Sequence, residues 1–254
     1  MIAIKNRWWN ETTWDVKLSY TRDRLVESYM WAVGTNHLPP FSPLRRIVTQ
    51  VIAMVTTIDD VYDVYGTLDE LEQFTKAVAR WDINSIEELP EYMKICFIGL
   101  YNSTNEIAYY TLTNTGFFNL SYLKKAWENQ CKVYLKEAQW YHSGHKPTLE
   151  EYLEDACDEM ARGDNPKAVQ CYMNDTGATE DEAIMYVNTL VLNTWKKLNK
   201  ERSGVMNSQI EKELTDCGAN LIRMAHFMYH EADGHGTCPE VVKSDILSLL
   251  VNPI

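Results

Sequence analysis

"RRIVTQVIAMVTTIDDVYDVYG", residues 45–66, carries an apolar helical face straight into three carboxylates, Asp59, Asp60 and Asp63. Ile47, Val51, Met54, Val55 and Ile58 recur near the period of one face of an α-helix, and Val61 extends the apolar run. The stretch is therefore expected to be a well-buried helix, from about 44 to 65, that ends in negative charge. Asp59 and Asp63 stand one turn apart on one face, where like charges repel. A divalent cation offsets that repulsion. Hard oxygen donors on a rigid helix suit magnesium, which commonly takes one or two carboxylates together with substrate phosphates. Asp60 is turned about 100° away and is expected to assist from behind or beside the phosphates. A solvated helix end is the alternative reading, but here the acidic turn interrupts an apolar face.

The surrounding chain limits what such a site serves. It has 254 residues, 45% of them apolar, enough for one sizeable core. With 24 Lys and Arg against 36 Asp and Glu, the net charge is -12. This balance is the reverse of that expected for a nucleic-acid binder or an anionic-membrane binder, and no stretch approaches the length of a membrane span. An acidic protein can still hold an anionic substrate if it first collects cations. The six cysteines are scattered without a CxxC pair, which points to a reducing compartment rather than a disulfide framework or zinc module. The first residues, "MIAIKNRWWNETTW", lack the basic and apolar regions of a secretory signal.

Helical periodicity continues on both sides. Helices are expected over about 17–33, stopped by "GTNHLPPFSP", and over 87–110, 122–141, 149–161, 167–174, 180–200 and 208–231, with a short C-terminal one ending near 250. Pro90 is expected in the first turn of its helix. Thr67 with Glu70, and Thr148 with Glu151, have capping-box spacing. No alternating strand pattern occurs, so the fold class is an all-α helical bundle.

Two further clusters complete a candidate site. Arg22 and Arg24, with Asp23 between them, lie one helix upstream of Asp59, and arginines make forked bonds to phosphate. A charged surface patch is the alternative. In "EEYLEDACDEMARGD", Glu151, Asp155 and Glu159 are spaced by four and form a second carboxylate column, followed by the basic Arg162. Such a column can hold a further cation or form a wet helix face. Two columns around a pocket would collect magnesium, and magnesium with arginines would take up a diphosphate. The chemistry suggested is departure of diphosphate from carbon.

With these residues in view, the chain closely resembles the catalytic C-terminal domain of plant terpene synthases. "IDDVYDVYGTLDELEQFT" is similar to their aspartate-rich DDxxD motif and its continuation, and "RDRLVE" to their upstream arginine motif. "PEYMKICF", "NEIAY", "YLKKAW", "EAQWYHSGHKPTLEEYL" and "RMAHFMY" with "DGHG" extend the likeness over nearly the whole chain. The resemblance implies one metal-binding domain over 1–254, of the isoprenoid-synthase bundle type. It implies magnesium, with manganese as a substitute, bridging Asp59 and Asp63 to a prenyl diphosphate, with Asp60 assisting. Arg22 and Arg24 would lie near the leaving diphosphate. Trp81 resembles the tryptophan of the pocket wall, where a ring face stabilises a cation without donating a nucleophile. Tyr229 and the 233–236 loop resemble the pocket rim and lid; for Trp81 the plain alternative is a core tryptophan.

The second metal motif of that family departs here. Glu159 matches its final glutamate, whereas Glu151 and Asp155 stand in its earlier positions. The sequence on either side of Ala156 resembles segments that the family separates by about two helices, so an abbreviated bundle is expected. The family's N-terminal helical domain and plastid-targeting peptide are not expected in this chain. The resemblance favours geranyl diphosphate and the monoterpene-forming subgroup, with a plastid as compartment and the cytoplasm as alternative. A non-catalytic helical protein that binds metal or pairs with a full-length relative is the competing function. Oligomeric state is left open.

Overall fold

A computed structural model describes residues 8–18, 21–155, 168–204, 209–229, 235 and 240–250. The described residues are helical, without a strand among them, as the periodicity predicts. Helices α1 (Leu25–Thr35) and α2 (Ser42–Asp60) are followed by α3 (Leu68–Arg80), α4 (Glu91–Thr115) and α5 (Leu120–Ser143). Then come α6 (Leu149–Asp155), α7 (Ala168–Thr176), α8 (Glu180–Gly204), α9 (Gln209–Tyr229) and α10 (Glu240–Leu250). The chain divides into two compact units, 1–29 with 46–143 and 30–45 with 144–254, so the division falls inside α1 and α2.

The first unit holds the larger aromatic core. Met54 and Ile58 of α2 meet Leu71 and Phe74 of α3 and Met93, Phe97 and Leu100 of α4, all fully buried. Each such side chain contributes about 1.5–3 kcal/mol by leaving water. Trp8, Trp9 and Trp14 cluster with ring centroids 5.8 to 6.3 Å apart. The Trp8 indole donates to Ser103 at 2.9 Å. Gly99 is required opposite Trp14, because a Cβ there would lie 2.5 Å from the indole.

The ends of α3 and α4 follow from local chemistry. Thr67 and Glu70 form the expected capping box, with the Thr67 N–H donating to Glu70 at 2.9 Å. Pro90 caps α4 from just outside rather than sitting in its first turn, and Gly116, at φ 74°, ends that helix five residues beyond the expected stop near 110.

One expected helix is divided. The apolar spacing of Leu18, Leu25, Tyr29 and Val33 predicts helix over 17–33, yet a short helix ends at Lys17 and α1 begins at Leu25. The physical reason lies in 21–24. Asp23 turns its carboxylate back to the Leu25 N–H at 3.3 Å, and the Arg22 N–H reaches Asp60 rather than a helical carbonyl.

In the second unit, α7 packs against α8 and α6. The rings of Tyr172 and Tyr186 stack at 4.2 Å, and the Leu149 N–H donates to Asp175 at 2.7 Å. The last turn of α1 sits close to α9: Asn220 donates to the Thr35 carbonyl at 3.1 Å, and a Cβ on Gly34 would collide with Met224.

Candidate functional site: an acidic turn and its arginine

Helix α2 does not run regularly through its carboxylates. At Val61 it widens into a π-turn, Val61–Tyr65, closed by the Gly66 N–H on the Val61 carbonyl at 2.9 Å. A wider turn advances fewer degrees per residue than an α-turn, which brings position 63 closer into line above position 59. The turn is held from inside. Tyr62 is buried, its hydroxyl shares a 2.6 Å hydrogen bond with Thr75, and its ring lies against Phe74 and Tyr134. Burial pushes the Tyr62 phenol well above its ordinary range, and it pushes the neighbouring Cys131 thiol up to about 12. The floor beneath the aspartates is therefore dry and neutral.

The three aspartates have separate places on this floor. Asp60 is almost fully buried, its side chain 3% exposed, and receives the Arg22 guanidinium at 2.6 Å as well as the Arg22 N–H at 3.3 Å. Asp59, at 13% exposure, lies 3.7 Å from the same guanidinium. Asp63 is half-buried on the π-turn. Of the arginine motif, Arg22 thus faces the acidic turn. Arg24 is placed differently, 3.7 Å from the buried Glu27 on the first turn of α1.

The remaining expected residues each have their own local surroundings. Trp81 is buried and ends α3 in the left-handed region at φ 53°, with its ring 6.2 Å from Phe97 and 5.6 Å from Tyr101. Tyr229, the last residue of α9, sets its ring 5.8 Å from Trp31. Glu151 caps its own helix, accepting from the Thr148 N–H at 2.9 Å and lying 3.4 Å from His145. That backbone hydrogen bond holds its carboxyl below the usual range. Asp155 ends α6, and Glu159 and Arg162 lie outside the described residues. Among the described residues, no three of His, Cys, Asp and Glu converge to hold a metal ion. A cavity of about 410 Å³ between the N-terminal turns and α4, lined by Trp8, Thr13, Ile98, Asn102 and Glu106, contains none of the expected site residues.

Sequence reasoning missed Tyr62 and Thr75, which fix the turn. The available signal was the aromatic residue between the carboxylates of "DDVYD", on the apolar side of the helix.

The acidic turn and its arginine thus stand on an all-α frame. Residues 10–159 match the model of the terpene synthase family metal binding domain, and 155–197 match that of the terpene synthase family 2 C-terminal metal binding domain. The chain belongs to the terpene synthase family. It is 48% identical, over 301 residues, to R-linalool synthase QH5, chloroplastic, of Artemisia annua, an alignment covering 98% of this chain and 51% of that protein. It is 42% identical over 299 residues to the chloroplastic myrcene synthase of Quercus ilex, covering 97% and 50%.

Among solved structures, isoprene synthase from grey poplar leaves (Populus x canescens), in complex with three Mg2+ ions and dimethylallyl-S-thiolodiphosphate, superposes with a TM-score of 0.88. That match is 36% identical and covers 98% of this chain and 57% of the other. Limonene synthase with 2-fluorolinalyl diphosphate gives a TM-score of 0.90 at 35% identity, covering 99% and 56%. The chain thus spans about half the length of the curated relatives it matches. An alignment of 301 residues exceeds the 254 of this chain, so the relatives carry internal sequence that it lacks. The two family matches meet at 155–159, where the sequence predicts the join, and the bundle has fewer helices than the complete domain.

Proposed function

We propose that this chain, over 1–254, is a truncated ionising domain that binds a prenyl diphosphate, geranyl diphosphate foremost, and releases diphosphate to leave an allylic carbocation and a terpene product. The observation that carries this reading is the Asp59, Asp60 and Asp63 turn, backed by Arg22 and lying within the family match. In the reaction the carbon–oxygen bond would break with its electron pair departing on the diphosphate, and the cation, directly or after closing on one of its own double bonds, would then give up a proton to form an alkene or be captured by water to form an alcohol.

The donor chemistry of the turn fits magnesium, or manganese in its place. Asp59 and Asp63 offer hard oxygens with some solvent access, and two carboxylates are a usual protein share for an ion that also binds phosphate. The bound ion would supply positive charge to the leaving diphosphate. Asp60 would assist by holding Arg22, whose guanidinium would orient toward the same anion with Arg24. Trp81 would offer a ring face to the cation, and Tyr229 would lie at the rim. Glu151, Asp155 and Glu159 are the candidates for the second metal column, where Glu151 would have to leave its cap, and Arg162 is a further candidate for the diphosphate. A plastid is the compartment proposed, in line with the chloroplastic relatives.

A second reading has its own support. The chain lacks internal sequence that its relatives carry, and Glu151 is already engaged in helix capping, both of which favour a non-catalytic descendant. Incubation with geranyl diphosphate and magnesium, followed by gas chromatography, separates the two. A terpene product abolished by chelator and by Asp63→Asn is expected. Calorimetric magnesium binding in the presence of inorganic diphosphate, with no product, would decide for the non-catalytic reading; absence of both would overturn the site itself.

A further inference from the structure

The stretch "PEYMKICF", residues 90–97, extends the family likeness but has no part in the site described above. It opens α4, and within the first unit the first turn of α4 lies against the far end of the acidic turn. Tyr92 sets its ring 6.4 Å from that of Tyr65, the last residue of the π-turn. The Tyr92 hydroxyl donates to Glu70 at 3.2 Å, on the carboxylate oxygen that also accepts the Thr67 N–H at 2.9 Å and the Thr67 hydroxyl at 2.8 Å. Met93, the next residue, is fully buried beside Gly66. A Cβ on Gly66 would lie 3.2 Å from the Met93 methyl and collide with Leu71.

The chain therefore leaves the π-turn through a narrow gap. Glu70 and Leu71 of α3 stand on one side, Tyr92 and Met93 of α4 on the other, and Tyr65, Gly66 and Thr67 pass between them. The hydrogen bond across the gap has matched partners. The Thr67 N–H holds the Glu70 carboxyl below its usual range, and burial raises the Tyr92 phenol above its own, so a charged acceptor faces a protonated donor.

Asp63 lies between two such holds. Tyr62, just before it, is bonded to Thr75, and Tyr65, just after it, is packed on Tyr92. With both ends fixed, the surplus residue of the wide turn cannot be taken up elsewhere along the helix. Magnesium demands near-ideal octahedral geometry at about 2.0–2.1 Å, whereas calcium accepts flexible coordination at about 2.3–2.6 Å. A loosened Asp63 is costlier to magnesium than to calcium.

We propose that Tyr92 is a positioning residue for the acidic turn: through Glu70 and Tyr65 it fixes the exit of Val61–Tyr65, and with it the Asp63 carboxylate, in a geometry that favours magnesium. The inference rests on the proposed role of Asp59 and Asp63 as metal ligands and gives a residue outside that set a part in metal choice.

Tyr92→Phe keeps the ring and removes the hydroxyl. Magnesium and calcium, each titrated alone, are followed through the Asp59 and Asp63 amide resonances, and hydrogen exchange follows the Gly66 N–H, which closes the turn on Val61. Magnesium affinity should fall about tenfold, the scale on which groups behind a metal ligand act, and calcium affinity by about twofold or less. Gly66 should lose protection. Glu70→Gln, whose amide oxygen still accepts from Tyr92 and Thr67, should keep most of the magnesium preference. Ser103→Ala, which breaks the Trp8 bond further along α4, should lower the urea midpoint and leave the ratio of the two affinities unchanged. Equal losses for both metals in Tyr92→Phe with Gly66 still protected, the mark of a merely stabilising contact, would overturn the inference and leave the acidic turn standing as a metal site. A native chain whose Asp59 and Asp63 resonances respond to neither metal would overturn the metal site as well.

Discussion

Two acidic columns in this chain share one spacing and differ in almost everything else. Asp59 and Asp63 are four apart, as are Glu151 and Asp155. The first pair stands on a buried helix, beside an arginine that is itself mostly covered and above the Tyr62–Thr75 hydrogen bond. At the second, the Glu151 carboxylate is 42% exposed and satisfied by its own helix end. Spacing sets which carboxylates are neighbours, whereas burial decides whether they require a charged partner. Only where water is excluded does repulsion become costly enough for the fold to build a counter-charge around it.

Removing Asp60 should expose this difference most strongly. Asp60→Ala removes the nearer and more buried partner of the Arg22 guanidinium and leaves it the longer contact to Asp59, and a loss of about 3 kcal/mol is expected in urea denaturation. Glu151→Ala, measured alongside, should cost much less, as loss of an exposed cap interaction. Equal losses would break the contrast between the columns.

Tyr62→Phe sharpens it on a smaller scale. The ring stays, the bond to Thr75 goes, and about 1–1.5 kcal/mol should be lost. If magnesium affinity in the presence of inorganic diphosphate falls by more than stability explains, the hydroxyl positions the turn as well as stabilising it.

The smallest effect is a titration. Glu151 has a carboxyl depressed below its ordinary 4.5 by the Thr148 N–H, so its capping contribution is complete above that value and lost as pH falls through the lower, folded one. The Thr148 amide proton, followed by NMR, should shift with a midpoint below 4.5. Glu151→Gln should remove the titration.

Much of this was readable beforehand. Helix positions followed from apolar period, and the capping boxes at Thr67 and Thr148 appeared where their spacing placed them, because the physics of a helix start is local. The aspartate turn was legible for the same reason. The division of the expected 17–33 helix was not, since Leu18, Leu25, Tyr29 and Val33 satisfy the helical period and the bond that breaks it comes from Asp60, 38 residues away. Asp60 was expected to turn away from its neighbours; that the direction leads to a covered arginine is information held by another element. Trp81 in a left-handed conformation is likewise a tertiary outcome, a backbone cost of about 1–2 kcal/mol offset by packing against Phe97 and Tyr101.

The widened turn at Val61–Tyr65 gives the chain an unusual kind of memory. In effect it is a helix with one residue too many, and the surplus is tolerated because Gly66 closes the loop and Tyr62 pins it. Point substitutions on its outer side, at the 65% exposed Val64 for instance, leave that count intact. Loss of a single codon there would not: the turn would tighten to an ordinary α-helix and every position beyond it would be re-aimed. In evolutionary terms the outer side of this short stretch is free to change its letters, whereas the stretch as a whole is held to its length.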